Sequence, residues 1–322
     1  MALIIDLIPQ LFLQVVQMVL VVAIAPAILG ITRKVKARLL RRVGPPVLQP
    51  YVDLWKLMHK EAVFAYNASW VYRTAPYVIF AATWVAAALV PSYATGLLFS
   101  WSADLIALVA LLGTARFTLA LAGMDVGTAF GGLGSSREMM IASLAEPAMI
   151  LIVFTVALVA GTTQLSTVAT VFSSEPVGLR VSLGLALFAF MFVAIAENAR
   201  IPIDNPATHL ELTMVHEAMV LEYSGRHLAM IEAASALKLV LYFSLIACLF
   251  APLGIAGPGA GAAAYAVGIA AYLGKLIVLA VLLPIGETSV AKMRVFRYPL
   301  FVGSAFAAAA LAVFLLFVSK GF

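Results

Sequence analysis

Apolar runs recur along this whole chain, each long enough, at roughly 20 residues, to cross a bilayer. Short polar stretches separate them. The pattern predicts helices near residues 10–32, 76–98, 102–122, 138–160, 181–197, 229–250, 264–284 and 299–319. It reads as an all-α, polytopic membrane protein with about eight transmembrane helices in a single domain spanning 1–322. Composition agrees: 64% of residues are hydrophobic, 11% are charged, and mean hydropathy is +1.08, values outside the range of a water-soluble domain.

Charge gives the chain an orientation. The loops after the odd-numbered spans, near 33–75, 123–137, 197–228 and 285–298, hold fifteen Lys or Arg, and the opposite side holds only Arg180 and Lys320. The positive-inside rule therefore puts those four loops in the cytoplasm and both termini outside. The N-terminus carries Asp6 and no basic leader, so no cleavable signal is expected. The net charge of +5 is accounted for by the loops and points to no nucleic acid. Cys248 is the only cysteine, which is too few for an iron–sulfur cluster or a thiolate zinc site. Any electron carriers and metals thus belong to other chains, with no cofactor expected in this one.

The first cytoplasmic loop contains a turn at Gly44-Pro45-Pro46 and then an amphipathic stretch in which Leu54, Leu57 and Met58 alternate with Asp53, Lys56 and Lys60. Such a helix lies in the membrane interface. Two readings stay open for it: a basic anchor on anionic lipid, or a platform on which Arg41, Arg42, Asp53, Lys56, Lys60 and Arg137 dock a soluble partner. The second loop, GMDVGTAFGGLGSSRE, is Gly-rich but lacks a phosphate-binding pattern, so its glycines are expected to allow close helix approach.

Ionisable groups concentrate between Glu197 and Glu232, where six of the fifteen acidic residues and three of the four histidines lie. Pro202 and Pro206 end any helix continuing from the fifth span. Thr208 to Glu211 has the spacing of a capping box, which predicts a helix to about Ser224, with Gly225 stopping it. On that helix Glu211 and Glu222 would project about 20° apart, with His209 and His216 on another face about 10 Å apart. That separation disfavours zinc. Hydrogen bonding at a subunit contact is the first reading for the histidines, and a proton relay the second.

Charges also occur inside the spans: Arg116, Glu146, Lys238 and Lys275. An unpaired ion in hydrocarbon costs several kcal/mol, so these side chains must face the bundle interior, pair, or meet water. With Glu197 and Asp204 at the mouth, they predict a polar file leading inward. A carboxylate there is expected to have a raised pKa.

Three stretches carry a resemblance to a known family: GPPVLQPYVDLWKLMHKE at 44–61, GGLGSSRE with Glu146 nine residues after Arg137, and AENARIPIDNPATHLELTMVHEAMVLEYSG at 196–225. The chain resembles the membrane subunit at the heel of respiratory complex I, the NADH:quinone oxidoreductase. It looks closer still to the membrane subunit of group 4 membrane-bound NiFe hydrogenases of the formate hydrogenlyase type. Glu197, Arg200, Asp204 and Glu222 match the family's motif positions, and Glu146 its span-four acid, while THLELTMVHEAM looks like the hydrogenase branch. The resemblance implies a subunit that is not catalytic alone. Its partners would be the NiFe-hydrogenase-like large and small subunits, an iron–sulfur subunit and antiporter-like membrane subunits, and redox chemistry in the soluble arm would drive proton or sodium movement. The resemblance implies Glu146, Glu197, Glu211, Glu217 and Glu222 as coupling residues; the motif-matched Arg200 and Asp204, with His209, His216, Lys238 and Lys275 from the charge pattern, complete the candidate proton- or ion-coupling set. A quinone-site heel subunit of complex I and a stand-alone secondary transporter are the alternatives.

Overall fold

A computed structural model describes residues 2–174, 181–204, 214–290, 293 and 297–320. Its helices are α1 (Ala2–Leu39), α2 (Gln49–Met58), α3 (Trp70–Leu89), α4 (Leu105–Asp125), α5 (Ala129–Ala160) and α6 (Leu165–Ser174). They continue with α7 (Val181–Glu197), α8 (His216–Val220), α9 (Gly225–Leu249), α10 (Ala262–Ser289) and α11 (Tyr298–Lys320). Among the described residues there is no strand, only isolated bridges at Ala94–Ala256 and Asp104–Gln164. Six helices are long and apolar enough to cross a membrane: α1 from Pro9, α4, α5, α9, α10 and α11. The other two expected spans are present as helices, with α7 shorter and α3 less apolar because it carries Arg73.

Several boundaries differ from expectation for local reasons. Helix α3 starts at Trp70, where the Ser69 side chain accepts the Val71 N–H, and ends at Leu89, well before 98. Pro91 follows, and a residue preceding proline is pushed out of helical geometry. The orphan carbonyls at this helix end are not left bare. Gln17 donates to the Ala88 and Val90 carbonyls at 2.9 and 2.7 Å, and Gln14 donates to Ala88 at 3.1 Å. In a low-dielectric setting each such unmade bond costs several kcal/mol, so two buried glutamines on α1 complete the end of α3.

The Gly-rich stretch expected to be a loop instead forms the first turns of α5, which is 32 residues long, about 48 Å. Its glycines do serve close approach. A Cβ on Gly134 would sit 2.9 Å from both Met219 Cγ and the Val215 carbonyl oxygen, and one on Gly123 would sit 2.7 Å from Ser135 Oγ. Helix α6 has no counterpart among the helices that the apolar pattern predicts. The helix expected from Thr208 to Ser224 is, in its described part, the five residues of α8, and Gly225 opens α9 rather than closing α8. Thr208, His209 and Glu211 lie outside the described residues.

Helix α9 forms the core of the bundle, with Leu237, Val240, Leu241 and Leu245 buried among α1, α3 and their neighbours. Around it α3 packs on α4, α4 on α5, and α5 and α7 on α11. Helix α10 differs. It buries one narrow stripe, Gly268, Tyr272, Leu276, Ala280 and Pro284, spaced by four residues, and packs chiefly on α1. Its remaining faces stay open.

Candidate functional site

Arg116 lies in the middle of α4, in a run otherwise too apolar to hold it. Its side chain is 3% exposed, and three carboxylates surround it. Nε is 3.4 Å from Glu138 of α5, and Nη1 is 3.3 Å from Glu146, two turns further along the same helix. Nη2 is paired with Glu197, the last residue of α7. Glu197 also faces Lys238 of α9, with its Oε2 2.9 Å from Nζ. Four helices thus each place at least one charge at a single buried point. Three acids against two bases leave a formal charge of −1 when all are ionised. One proton makes the cluster neutral, so it is a place where a proton can be held and released.

The cluster opens toward the α7–α8 connection through a cavity of about 40 Å³, lined by Arg116, Glu138, Glu197, His216, Ser235 and Lys238 among others. A water molecule needs about 10–15 Å³ of such space and two to four polar partners, and both conditions are met here. His216 begins α8 on the wall of this cavity. Burial holds its imidazole below the ordinary value; Glu138, Asp204 and Glu232 oppose that and Lys238 adds to it. At neutral pH it is therefore an uncharged acceptor or donor. Asp204 is buried and accepts the Val215 and His216 backbone N–H groups, both at 3.2 Å, which fixes where α8 starts.

At the opposite end of the cluster, Glu146 is different in kind from Glu138 and Glu197. Its side chain is 45% exposed on the lateral surface of α5, whereas that of Glu197 is 5% exposed. The cluster therefore runs from a rim-facing cavity to a sideways opening.

A second ionic group lies on the other side of α7. Glu287 of α10 is buried, with Lys36 of α1 at 2.6 Å and Arg200 at 3.8 Å. Burial lowers the Arg200 pKa, the Glu287 carboxylate opposes that shift, and Arg33 adds to it.

Of the sequence-derived coupling residues, the structure joins Glu146, Glu197, Lys238 and His216, with Asp204 holding the backbone beside them. Arg200 belongs to the Glu287 group instead. Glu217 is half-buried on α8 and Glu222 is exposed, outside the cluster. Lys275 is separated from it: its ammonium donates to the Ala251 carbonyl at 2.6 Å, beside the α9–α10 turn. His209 and Glu211 lie outside the described residues. Glu138, Glu287 and Lys36 do not stand out in the sequence, although a carboxylate two turns before Glu146 on one helix is a readable signal for the first.

Within the docking set, Arg41, Arg42, Lys56 and Lys60 are exposed, and Asp53 accepts from Gln49 at 2.8 Å on α2. Arg137 is committed elsewhere, donating to the Met214 carbonyl at 2.8 Å and so tying α5 to the chain before α8. The Tyr223-Ser224-Gly225 turn clasps the first loop. The Val63 N–H donates to Ser224 Oγ at 2.8 Å, and Tyr223 stacks on Tyr72 with centroids 4.1 Å apart. Among the described residues, no three His, Cys, Asp or Glu side chains are grouped as ligands for a metal ion.

Comparison with known proteins places this geometry in context. A family model described as NADH dehydrogenase matches residues 12–318. Formate hydrogenlyase subunit 4 of Escherichia coli K12 is 33% identical over 298 residues, covering 92% of this chain and 95% of the relative. Hydrogenase-4 component C of the same organism is 33% identical over 281 residues, covering 86% and 87%. NADH-quinone oxidoreductase subunit 8 of Rhodothermus marinus is 29% identical over 222 residues, covering 65% and 62%. A chain of an archaeal respiratory membrane complex, the membrane-bound sulfane sulfur reductase, has the same fold, with a TM-score of 0.79 over 96% of this chain and 99% of that one at 20% identity.

Proposed function

This chain belongs to the NADH dehydrogenase family, and from that footing we propose that it is the membrane-anchoring, energy-coupling subunit of a group 4 hydrogenase-type complex. The relatives from hydrogenase assemblies match more of the chain, at higher identity, than the NADH-quinone oxidoreductase relative does. That supports the hydrogenase branch over the quinone-site heel of complex I. In this reading α3 and α7 complete eight spans in a prokaryotic inner membrane, with both termini outside. The basic loops hold a soluble arm whose iron–sulfur and NiFe subunits carry all the electron chemistry, because this chain has one cysteine, buried in α9.

The observation that carries the reading is the five-residue cluster around Arg116, closed toward the bundle and half-open sideways at Glu146. Charge rearrangement at the rim, near His216 and the cavity behind it, changes which carboxylate Arg116 and Lys238 neutralise. A carboxylate released from its cation gains a proton, and one that acquires a cation loses it. Repeated in sequence, this moves a proton from the rim toward Glu146 and on to a neighbouring antiporter-like subunit. The test is to place Glu197→Gln and Glu146→Gln separately in the intact complex and measure turnover and ion uptake in inverted membrane vesicles. Each variant should assemble and lose coupled ion uptake. Coupled uptake at the parental level in both would end the proposal.

A further inference from the structure

A cavity of about 640 Å³ lies away from the ionic cluster, on the far side of α7. It arises from the packing of α10. That helix is tied to α1 by a single stripe, and α11 is tied to α5 and α7, so a groove floored by α7 and α9 stays open between them. Its walls are apolar along α9 from Leu239 to Ile246 and along α10 from Leu279 to Gly286, the latter about 10 Å of helix, with Val290 just beyond the end of α10. Leu282 and Leu300 on its lips are strongly exposed. One end alone is charged, where Arg200, Glu287 and Arg297 line it.

The charge at that end does not balance. Among the described residues Glu287 is the one carboxylate lining the groove, and it is shared between Lys36 at 2.6 Å and Arg200 at 3.8 Å. Arg297 is an exposed third cation on the same mouth. The arithmetic is three bases against one acid, a surplus of +2. The sequence from Thr288 to Phe322 adds Lys292 and Arg294 and contains no acidic residue. An apolar trench no deeper than one leaflet, roughly 15 Å, that ends in uncompensated guanidinium charge matches one ligand chemistry: acyl chains joined to an anionic phosphate. We propose that this groove is a binding site for an anionic phospholipid, with its chains between α10 and α11 and its phosphate against Arg297 and Arg200. The site is independent of the proton-coupling reading and stands or falls without it.

Gly286 makes the proposal testable without disturbing the fold. It lines the groove on α10, and a Cβ added there meets nothing within 4 Å. Gly286→Trp therefore fills the groove rather than clashing with the backbone, and Gly286→Ala is its control. The intact complex is purified in mild detergent and reconstituted in vesicles of phosphatidylcholine with a tenth of a photoactivatable phospholipid, either phosphatidylglycerol or phosphatidylcholine. Label on peptides of α10 and α11 is then quantified by mass spectrometry. The phosphatidylglycerol probe should label the groove at least threefold more than the phosphatidylcholine probe. Arg297→Gln should remove that preference, Gly286→Trp should abolish labelling by both, and Gly286→Ala should change nothing. Equal labelling by the two probes in the parental complex would overturn the headgroup assignment. A photoreactive residue at Leu300 that captures another protein chain instead of lipid would overturn the site altogether.

Discussion

Replacing Arg116 by glutamine tests the buried cluster most directly, and its size can be worked from the structure. The parental cluster holds two cations and three acids, net −1. Arg116→Gln leaves Lys238 alone against Glu138, Glu146 and Glu197, net −2, with Glu138 and Glu197 both buried. Removing one partner of a buried ion pair costs about 3–5 kcal/mol, mainly because the other charge is left without compensation. The contact to Glu146 adds little, since that carboxylate is 45% exposed and screened. The folded-to-unfolded ratio should therefore fall by roughly two to three and a half orders of magnitude. Glu197→Gln should cost less, about 1–3 kcal/mol, because two cations then face two acids and the amide oxygen still accepts. Combining the two changes restores a net charge of −1, so the double variant should regain about 0.5–3 kcal/mol over Arg116→Gln alone. Unfolding in mixed dodecyl sulfate micelles, followed by circular dichroism, measures all three. If Arg116→Gln unfolds with the parental protein, or the double variant is no better than the single, Arg116 does not organise the carboxylates.

Three further outcomes follow from named contacts. His216 is held below its ordinary pKa by burial, so the stability it contributes is complete above about pH 6.5 and is lost as pH falls through the lowered folded value; His216→Gln should flatten that part of a melting-temperature profile taken from pH 7.5 to 5.5, and an unchanged profile would place the proton elsewhere. Gly225 has φ +53, and a Cβ there would sit 2.6 Å from the Lys60 carbonyl oxygen; Gly225→Ala should cost about 1–3 kcal/mol and open the Lys60–Val63 segment to trypsin, whereas parental resistance would mean that the clasp is dispensable. Lys275→Met should leave coupled ion uptake intact, because its ammonium serves the Ala251 carbonyl; loss of coupling with normal assembly would return Lys275 to the pathway.

How far the sequence can be read depends on what each signal encodes. Span positions are legible because a 20-residue apolar run has one physical meaning in a chain of this composition. Helix faces are not legible. Apart from a few charges, helices such as α4 and α5 carry apolar residues on every side, facing both lipid and protein, so no amphipathic period shows which side packs inward. Charges inside spans announce that partners must exist, as they do for Arg116, Glu146 and Lys238. Who pairs with whom depends on where four helices cross, and no spacing along the chain contains that. Glu222 shows the opposite case: it sits in the matched motif, yet the local turn through Tyr223, Ser224 and Gly225 directs it outward.

The exposure of Glu146 carries one more consequence. It sits on an α5 stripe with Ile150 and Phe154, spaced by four residues and turned away from the bundle, and these two are 48% and 54% exposed. Leucine-sized groups on such a stripe are content in lipid, but a carboxylate at that depth is not. Arg116 reaches only one of its oxygens, so the other must meet a polar group or water supplied by whatever lies alongside α5. The cluster is thus closed by this chain around Arg116 and open sideways at Glu146, where on the proposed reading a neighbouring subunit would complete it. An ionisable chain that ends at a side opening is the arrangement that the proposed transfer to a neighbouring subunit needs, whereas a chain binding substrate for itself would enclose the same residue.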